Sequence, residues 1–166
     1  MNIIAAVDRD WAIGCENHLL EHIPEDMKFF RKTTIGNVVV MGRKTLESFP
    51  GGRPLKDRVN VVITSRQDYQ VPGAVIVHSL EEALDYLGQY DPRKIYVIGG
   101  ESIYRQMLDL CDRAFITFVD ISHKADAYFP NLDQREDWEL TEVTGQNMVK
   151  NLHYEFRLYE KRTIEK

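Results

Sequence analysis

Short apolar runs alternate along the chain with stretches whose apolar residues recur at helical spacing. Ile3–Val7, Val38–Met41, Val59–Thr64, Ala74–Val77, Ile95–Ile98 and Ala114–Val119 are apolar almost throughout. Such runs predict strands covered on both faces, because only a half-exposed strand needs a polar residue at every second position. Helix signals lie between them. One helix is predicted to open at Ile23-Pro24, where proline presets φ and its missing N–H is not needed. Lys44–Phe49 predicts a short helix behind Gly42, and Glu101–Leu108 another behind Gly99-Gly100. Ser79 predicts an N-cap. Glu82, three residues on, completes a capping box ahead of the Ala83, Leu84 and Leu87 stripe.

The tail changes period. Leu152, Tyr154, Phe156 and Leu158 alternate with His153, Glu155, Arg157 and Tyr159. Trp138–Thr144 and Leu152–Tyr159 are therefore predicted to form an antiparallel hairpin at the sheet edge, joined by the polar Gly145–Asn151. A long loop should run from the first strand to Ile23, and Pro50-Gly51-Gly52-Arg53-Pro54 should be a turn. No repeat, low-complexity tract or linker divides the 166 residues. The expectation is one α/β domain over 1–166: a central, mostly parallel twisted sheet of about eight strands, a C-terminal antiparallel hairpin and about four flanking helices.

One residue breaks the pattern. At about 100° per residue, Asp26 shares a helix stripe with Ile23, Met27, Phe30 and Thr33. A carboxylate on that stripe loses water, which disfavours its charged form and lets it hold a proton near neutral pH. The bland alternative is an acid that stabilises the helix start through the dipole and backbone donors.

Composition narrows the classes. A hydrophobic content of 43% with 28% charged residues is ordinary for a soluble globular chain. The net charge of −5 argues against a nucleic-acid surface, which needs a basic stripe, but leaves local basic clusters free to hold small anions. Cys15 and Cys111 are the two cysteines, with neither metal spacing nor a disulfide framework, so a reducing compartment is expected. The N-terminus lacks a basic n-region and a long apolar run. No stretch reaches the roughly 20 apolar residues that span a bilayer. A cytoplasmic protein without nucleic-acid or membrane partners is expected.

Three segments offer binding chemistry. Gly42-Arg43-Lys44-Thr45 follows a strand and opens a helix, where backbone N–H groups, cations and a hydroxyl suit a phosphate. It is not a P-loop, and a plain basic turn is the alternative, though cations are electrostatically misplaced at a helix start. Ile98-Gly99-Gly100-Glu101-Ser102-Ile103-Tyr104 is a second strand–glycine–helix junction, where small residues let a flat ligand or pyrophosphate approach. A tight turn would explain two glycines equally well. Arg53 and Arg58 bracket a strand mouth and could fork a carboxylate; solvated arginines are the alternative. His18 and His22 do not form H-E-x-x-H, so zinc is not expected, and no local spacing places a nucleophilic triad.

Taken in order, these pieces resemble dihydrofolate reductase of the bacterial chromosomal type. The matching pieces are Ile4-Ala5-Ala6-Val7-Asp8, Ile13-Gly14-Cys15-Glu16-Asn17, Ile23-Pro24-Glu25-Asp26-Met27-Lys28-Phe29-Phe30 and Val40-Met41-Gly42-Arg43-Lys44-Thr45-Leu46-Glu47-Ser48. Gly52-Arg53-Pro54-Leu55, Tyr96-Val97-Ile98-Gly99-Gly100 and Asp126-Ala127-Tyr128-Phe129-Pro130 complete the set. The resemblance runs nearly end to end.

It implies NADPH-dependent reduction of 7,8-dihydrofolate to tetrahydrofolate, with hydride delivered to C6 and a proton to N5, in a monomer open to antifolate inhibitors. Asp26, Thr117 and Tyr104 would be the catalytic set, with Thr117 supporting Asp26 against the pterin edge. Ile4, Ala5, Met27, Phe30, Arg31, Phe49, Leu55, Arg58 and Ile98 would hold the substrate, Arg58 clamping the α-carboxylate of its glutamate tail. Ala6, Ile13, Asn17, Leu19, Tyr104 and the Gly99-Gly100 pair, joined in the family by a cis peptide, would surround the nicotinamide. Gly42, Arg43, Lys44, Thr45, Glu101, Ser102 and Ile103 would take the pyrophosphate region, and Thr64, Ser65, Arg66 and His78 the adenosine side with its 2′-phosphate. Residues Asp8–His22 match the family's mobile covering loop.

One departure stands out: Leu19-Leu20-Glu21 occupies the place of the family's Leu-Pro-Trp, so the indole that orients a water near the acid is absent from that position. The expectation is that the reaction class survives and that Glu21 faces solvent. Two rivals are a riboflavin-pathway pyrimidine reductase, which shares fold and cofactor but does not need the acid, and a non-catalytic folate- or nucleotide-binding module.

Overall fold

The computed structural model describes residues 1–14, 23–149 and 152–162. Ten strands are described: β1 (Asn2–Val7), β2 (Ala12–Gly14), β3 (Val38–Gly42), β4 (Val59–Ile63), β5 (Ala74–Val77), β6 (Ile95–Gly99), β7 (Arg113–Val119), β8 (Ala127–Tyr128), β9 (Trp138–Val149) and β10 (Leu152–Lys161). Four α-helices accompany them: α1 (Pro24–Thr34), α2 (Arg43–Glu47), α3 (Leu80–Leu87) and α4 (Glu101–Met107). Eight strands form one sheet in the order β5-β4-β3-β6-β1-β7-β10-β9. Strands β5 to β7 in that order run parallel, and β10 and β9 add antiparallel.

The apolar runs are strands for the reason their composition implies. Val38, Val39, Val40 and Met41 of β3 are all buried, as are Ile95 through Gly99 of β6. Alternate residues feed two different layers. Ile3, Val7, Val38, Val40, Val61 and Val97 pack into one core with Ile103, Tyr104 and Met107 of α4. Ile4, Val39, Met41, Val62, Tyr96 and Ile98 point the other way and pack with Leu46, Phe29, Phe30, Phe49 and Leu55. That second layer gathers Ile4, Phe30, Phe49, Leu55 and Ile98, five of the residues expected to hold a substrate.

Local signals behave as expected, with one refinement. The Ser79 hydroxyl accepts from the Glu82 backbone N–H at 3.0 Å, a cap worth about 1 kcal/mol. Glu82 does not close the box on Ser79, however. Its carboxylate accepts from the backbone N–H of His78, one residue earlier.

Three expectations need correction. The stretch between β1 and α1 is not wholly loop, because β2 pairs with β8 in a small second sheet, Ala12 opposite Tyr128 and Gly14 opposite Ala127. A three-residue and a two-residue strand carry too few side chains to show a period. The C-terminal hairpin is longer than its alternation indicated: β9 runs on to Val149, taking in most of the polar stretch assigned to the connection. Register shifts between Tyr154 and Phe156 and between Leu158 and Tyr159 break the two-residue period across β10 and β9. Finally, α1 is not a buried stripe: Met27 is 52% exposed, and within the helix only Thr34 is fully buried. The ring that anchors the helix is Phe29, 4.9 Å from Phe156 and 6.3 Å from Phe115 between centroids.

Candidate active site

Parallel sheets bind ligands at the carboxyl ends of their strands, where the strand order reverses and neighbours diverge. Here β1 pairs with β7 over all six of its residues but with β6 only at Asn2–Tyr96 and Ile3–Val97. Beyond Ile3 the two strands part, and the Ile4 carbonyl accepts the Tyr104 hydroxyl at 2.7 Å. The mouth of this gap is flanked by Ile4 on one strand and by Ile98-Gly99-Gly100 on the other. The Gly99-Gly100 peptide is cis, and Gly99 has φ +120°. A Cβ at Gly99 would lie 3.2 Å from the Tyr104 ring, so glycine is required there on both conformational and steric grounds.

Asp26 stands at this gap. Its Oδ1 accepts the Thr117 hydroxyl of β7 at 2.5 Å. Burial raises the carboxyl pKa, and the Thr117 hydrogen bond offsets this in part. Tyr104 feels Asp26 as well: its phenol is held far above the ordinary range by complete burial and then by the Asp26 charge. Asp26, Thr117 and Tyr104, from three separate elements, therefore form one group around an acid poorly served by water.

The substrate-side residues divide. Ile4, Phe30, Phe49, Leu55 and Ile98 share one apolar cluster. Ala5 packs into the opposite layer with Ile13, and Met27 is exposed. Arg58 sits at the far end of this wall. Its Nε donates to the Lys56 carbonyl and its Nη1 to the Thr34 hydroxyl, each at 3.0 Å. Burial, followed by the like charge of Arg31, lowers the Arg58 pKa, against a smaller opposing pull from Asp57. Arg53, which could have forked a carboxylate with Arg58 or stayed solvated, is exposed; the cation whose charge reaches Arg58 is Arg31. Asn60 was missed by sequence reasoning. It is 2% exposed, takes the Leu55 N–H on its oxygen and gives N–H to the carbonyls of Leu55 and Arg58. Its only sequence signal is a polar residue inside the apolar run Val59–Ile63.

The phosphate-type residues gather on the other side of the Gly99-Gly100 turn. A Cβ on Gly42 would lie 3.2 Å from Ile103, and one on Gly100 would lie 3.7 Å from the Thr45 hydroxyl, so the two glycine turns abut. Arg43 is engaged by Glu47 at 2.6 Å, while Lys44 is exposed. Ser102 accepts from Gln106 at 2.8 Å. The Glu101 carboxylate accepts from the Tyr128 backbone N–H, which ties it to structure. Farther along, Arg66 N–H donates to the Thr64 hydroxyl, and His78 Nδ1 lies 3.0 Å from the Thr64 carbonyl. Thr64, Ser65, Arg66 and His78 are thus one cluster beyond the ends of β4 and β5. Ala6 is half-buried at the end of β1. Asn17, Leu19, Glu21, His18 and His22 lie outside the described residues. Among the described residues no cluster of acids, histidines or cysteines could hold a metal, and no helix is long and apolar enough to cross a membrane.

The family model for dihydrofolate reductase matches residues 1–161. The chain belongs to the dihydrofolate reductase family. It is 37% identical over 168 residues to the dihydrofolate reductase of Bacillus subtilis, covering 100% of this chain and 97% of that one. It is 36% identical over 152 residues to the Staphylococcus aureus enzyme, covering 91% of each. Among solved structures, the Enterococcus faecalis dihydrofolate reductase complexed with NADP(H) and RAB-propyl superimposes with a TM-score of 0.87 at 33% identity, over 98% of this chain and 96% of that one.

Proposed function

We propose that this dihydrofolate reductase reduces 7,8-dihydrofolate to 5,6,7,8-tetrahydrofolate with NADPH, using Asp26 as the carboxyl group that engages the pterin. The single observation that carries the reading is the half-buried Asp26 carboxyl, hydrogen-bonded to Thr117 at the gap between β1 and β6. NADPH, when bound, supplies the hydride. The fit of the site to that cofactor is supported by the abutting glycine turns, where missing Cβ atoms let Gly42 pack on Ile103 and Gly99 on Tyr104 and so bring two strand–glycine–helix junctions, each suited to an anionic group, side by side.

Every other step belongs to the chain. Asp26 binds the N3 and 2-amino edge of the pterin and favours a ring that accepts a proton at N5, where the proton arrives through water. Thr117 donates to one Asp26 oxygen and so leaves the other for the substrate. Tyr104, bound to the Ile4 carbonyl, holds the wall on which the nicotinamide lies, together with Ala6 and Ile13. Ile4, Phe30, Phe49, Leu55 and Ile98 exclude water from the pterin and the ring beyond it, with Ala5 and Met27 at the margins. Arg58 holds the tail carboxylate, with Arg31 beside it.

Gly42, Arg43, Lys44, Thr45, Ser102, Ile103 and the backbone of Glu101 hold the pyrophosphate, and Thr64, Ser65, Arg66 and His78 the 2′-phosphate. Arg43 must share its guanidinium between that anion and Glu47. Antifolates that present a protonated edge bind Asp26 in the same cleft. The reading includes a monomer without a nucleic-acid partner.

Mixing purified protein with NADPH and dihydrofolate, and following absorbance near 340 nm, tests this. Loss of absorbance that requires dihydrofolate is expected. Binding of both ligands without turnover would mean a binding module instead.

A further inference from the structure

We propose that Thr34 is the positioning residue for the tail-binding arginine: its hydroxyl, at the last residue of α1, aims the Arg58 guanidinium into the cleft. The inference rests on the reading of Arg58 as a carboxylate clamp.

The direction of each hydrogen bond is settled by chemistry. Thr34 Oγ1 lies 2.8 Å from the Phe30 carbonyl, four residues earlier. A carbonyl only accepts, so the Thr34 proton is committed to Phe30. The lone pairs of the same oxygen therefore face Arg58 Nη1 at 3.0 Å. Arg58 Nε is held separately by the Lys56 carbonyl at 3.0 Å.

A guanidinium has five N–H groups. Two are spent on the chain, which leaves one on Nη1 and both on Nη2, enough for a forked contact with a carboxylate. No ion pair to Arg58 is found among the described residues, and its neighbour Arg31 repels it. The protein thus fixes the cation and leaves its fork for an anion from outside.

Thr34 is fully buried, so neither water nor a rotamer change replaces that oxygen cheaply. The backbone of Arg58 is secured independently, through Asn60. Losing the Thr34 hydroxyl should therefore release the guanidinium and leave its loop in place. A threonine at a helix end reads in sequence as an ordinary polar residue, so only the contact across 24 positions exposes the role.

The test compares two substrates. Dihydrofolate carries the glutamate tail; 6-methyl-7,8-dihydropterin has the same reducible ring and no tail. Thr34→Val keeps the branched shape and removes the hydroxyl. We expect it to raise KM for dihydrofolate about tenfold, as for loss of one hydrogen bond to a charged group. The ratio of kcat/KM for dihydrofolate to that for the tail-less pterin should fall by the same factor. Thr34→Ser restores the oxygen and should return that ratio to within about twofold of the wild type; Thr34→Ala stands in for Val if the latter does not fold.

Arg58→Ala is the control. If it raises KM for dihydrofolate while Thr34→Val and Thr34→Ala do not, the positioning role is wrong and the clamp stands. If Arg58→Ala is itself silent, the clamp reading fails and the proposal with it. Equal losses on both substrates, or a Thr34→Ser variant as poor as Thr34→Val, would also overturn it.

Discussion

Asp8 and Asp26 are both carboxylates drawn away from water, and they differ in how their oxygens are used. Asp8 Oδ1 accepts the backbone N–H groups of Asp10 at 2.8 Å and Ala12 at 2.9 Å. Its Oδ2 accepts the backbone N–H of His123 at 3.0 Å and lies 3.1 Å from the His123 ring nitrogen Nδ1. Asp26 has a single donor among the described residues, the Thr117 hydroxyl. Backbone donors have replaced water around Asp8, so its charge braces the turn after β1 against the loop that holds His123. Asp26 is half-buried, and a single hydroxyl stands in for the water it has lost, so desolvation raises its proton affinity. Burial alone does not mark an acid for chemistry; burial with unspent acceptor capacity does.

The largest effect that would break or sharpen this contrast is on turnover. Asp26→Asn should slow hydride transfer at neutral pH by about 100-fold to 10,000-fold, the range for a lost acid–base group, and less at low pH. Stopped-flow rates from pH 5 to 9 check this; a rate equal to the wild type throughout would end the assignment.

Asp8→Ala should instead act on stability. It strands three backbone N–H groups and should cost about 1–3 kcal/mol or more in urea denaturation, with a smaller loss of kcat than Asp26→Asn. If urea midpoints are unmoved, Asp8 is no brace.

Thr117→Val removes the one interaction that lowers the Asp26 pKa. The pH–rate profile should then shift to higher pH, and an unchanged profile would separate Thr117 from the acid.

The smallest effect is on stability against pH. Because the folded pKa of Asp26 is raised, the folded state binds the proton more tightly than the unfolded chain does. That contribution is complete below about pH 3.9 and is lost as pH rises through the folded pKa. Asp26→Asn should therefore have a higher Tm than the wild type at pH 7, a gain that fades toward pH 3. A Tm gain of equal size at both pH values would contradict the linkage.

Much of this was legible along the chain. Buried parallel strands need no polar alternation, so β3 and β6 stood out as unbroken apolar runs. Asp26 stood out because an ionisable group interrupted a helix stripe. Other features carried no periodic signal. Strands β2 and β8 are too short to show one. Phe29, three residues on from Asp26 and so on a neighbouring part of the same face, was given no role of its own, yet it packs on Phe156 from the far end of the chain. Arg53 and Arg58 looked equivalent by spacing, and only the fold turned one outward and half-buried the other.

By itself the sequence determined the order of the main-sheet strands and the helices, the family, and Asp26 as the acid on the apolar stripe of α1, because hydrophobic period, caps and short motifs are properties of neighbouring residues. The tertiary structure decided which acid is braced and which is left reactive, which arginine is aimed, and where β1 and β6 separate. Those outcomes depend on donors brought from distant segments, such as Thr117 to Asp26, His123 to Asp8 and Thr34 to Arg58. Hydrogen-bond satisfaction of a buried group is a property of space, and no local pattern encodes it.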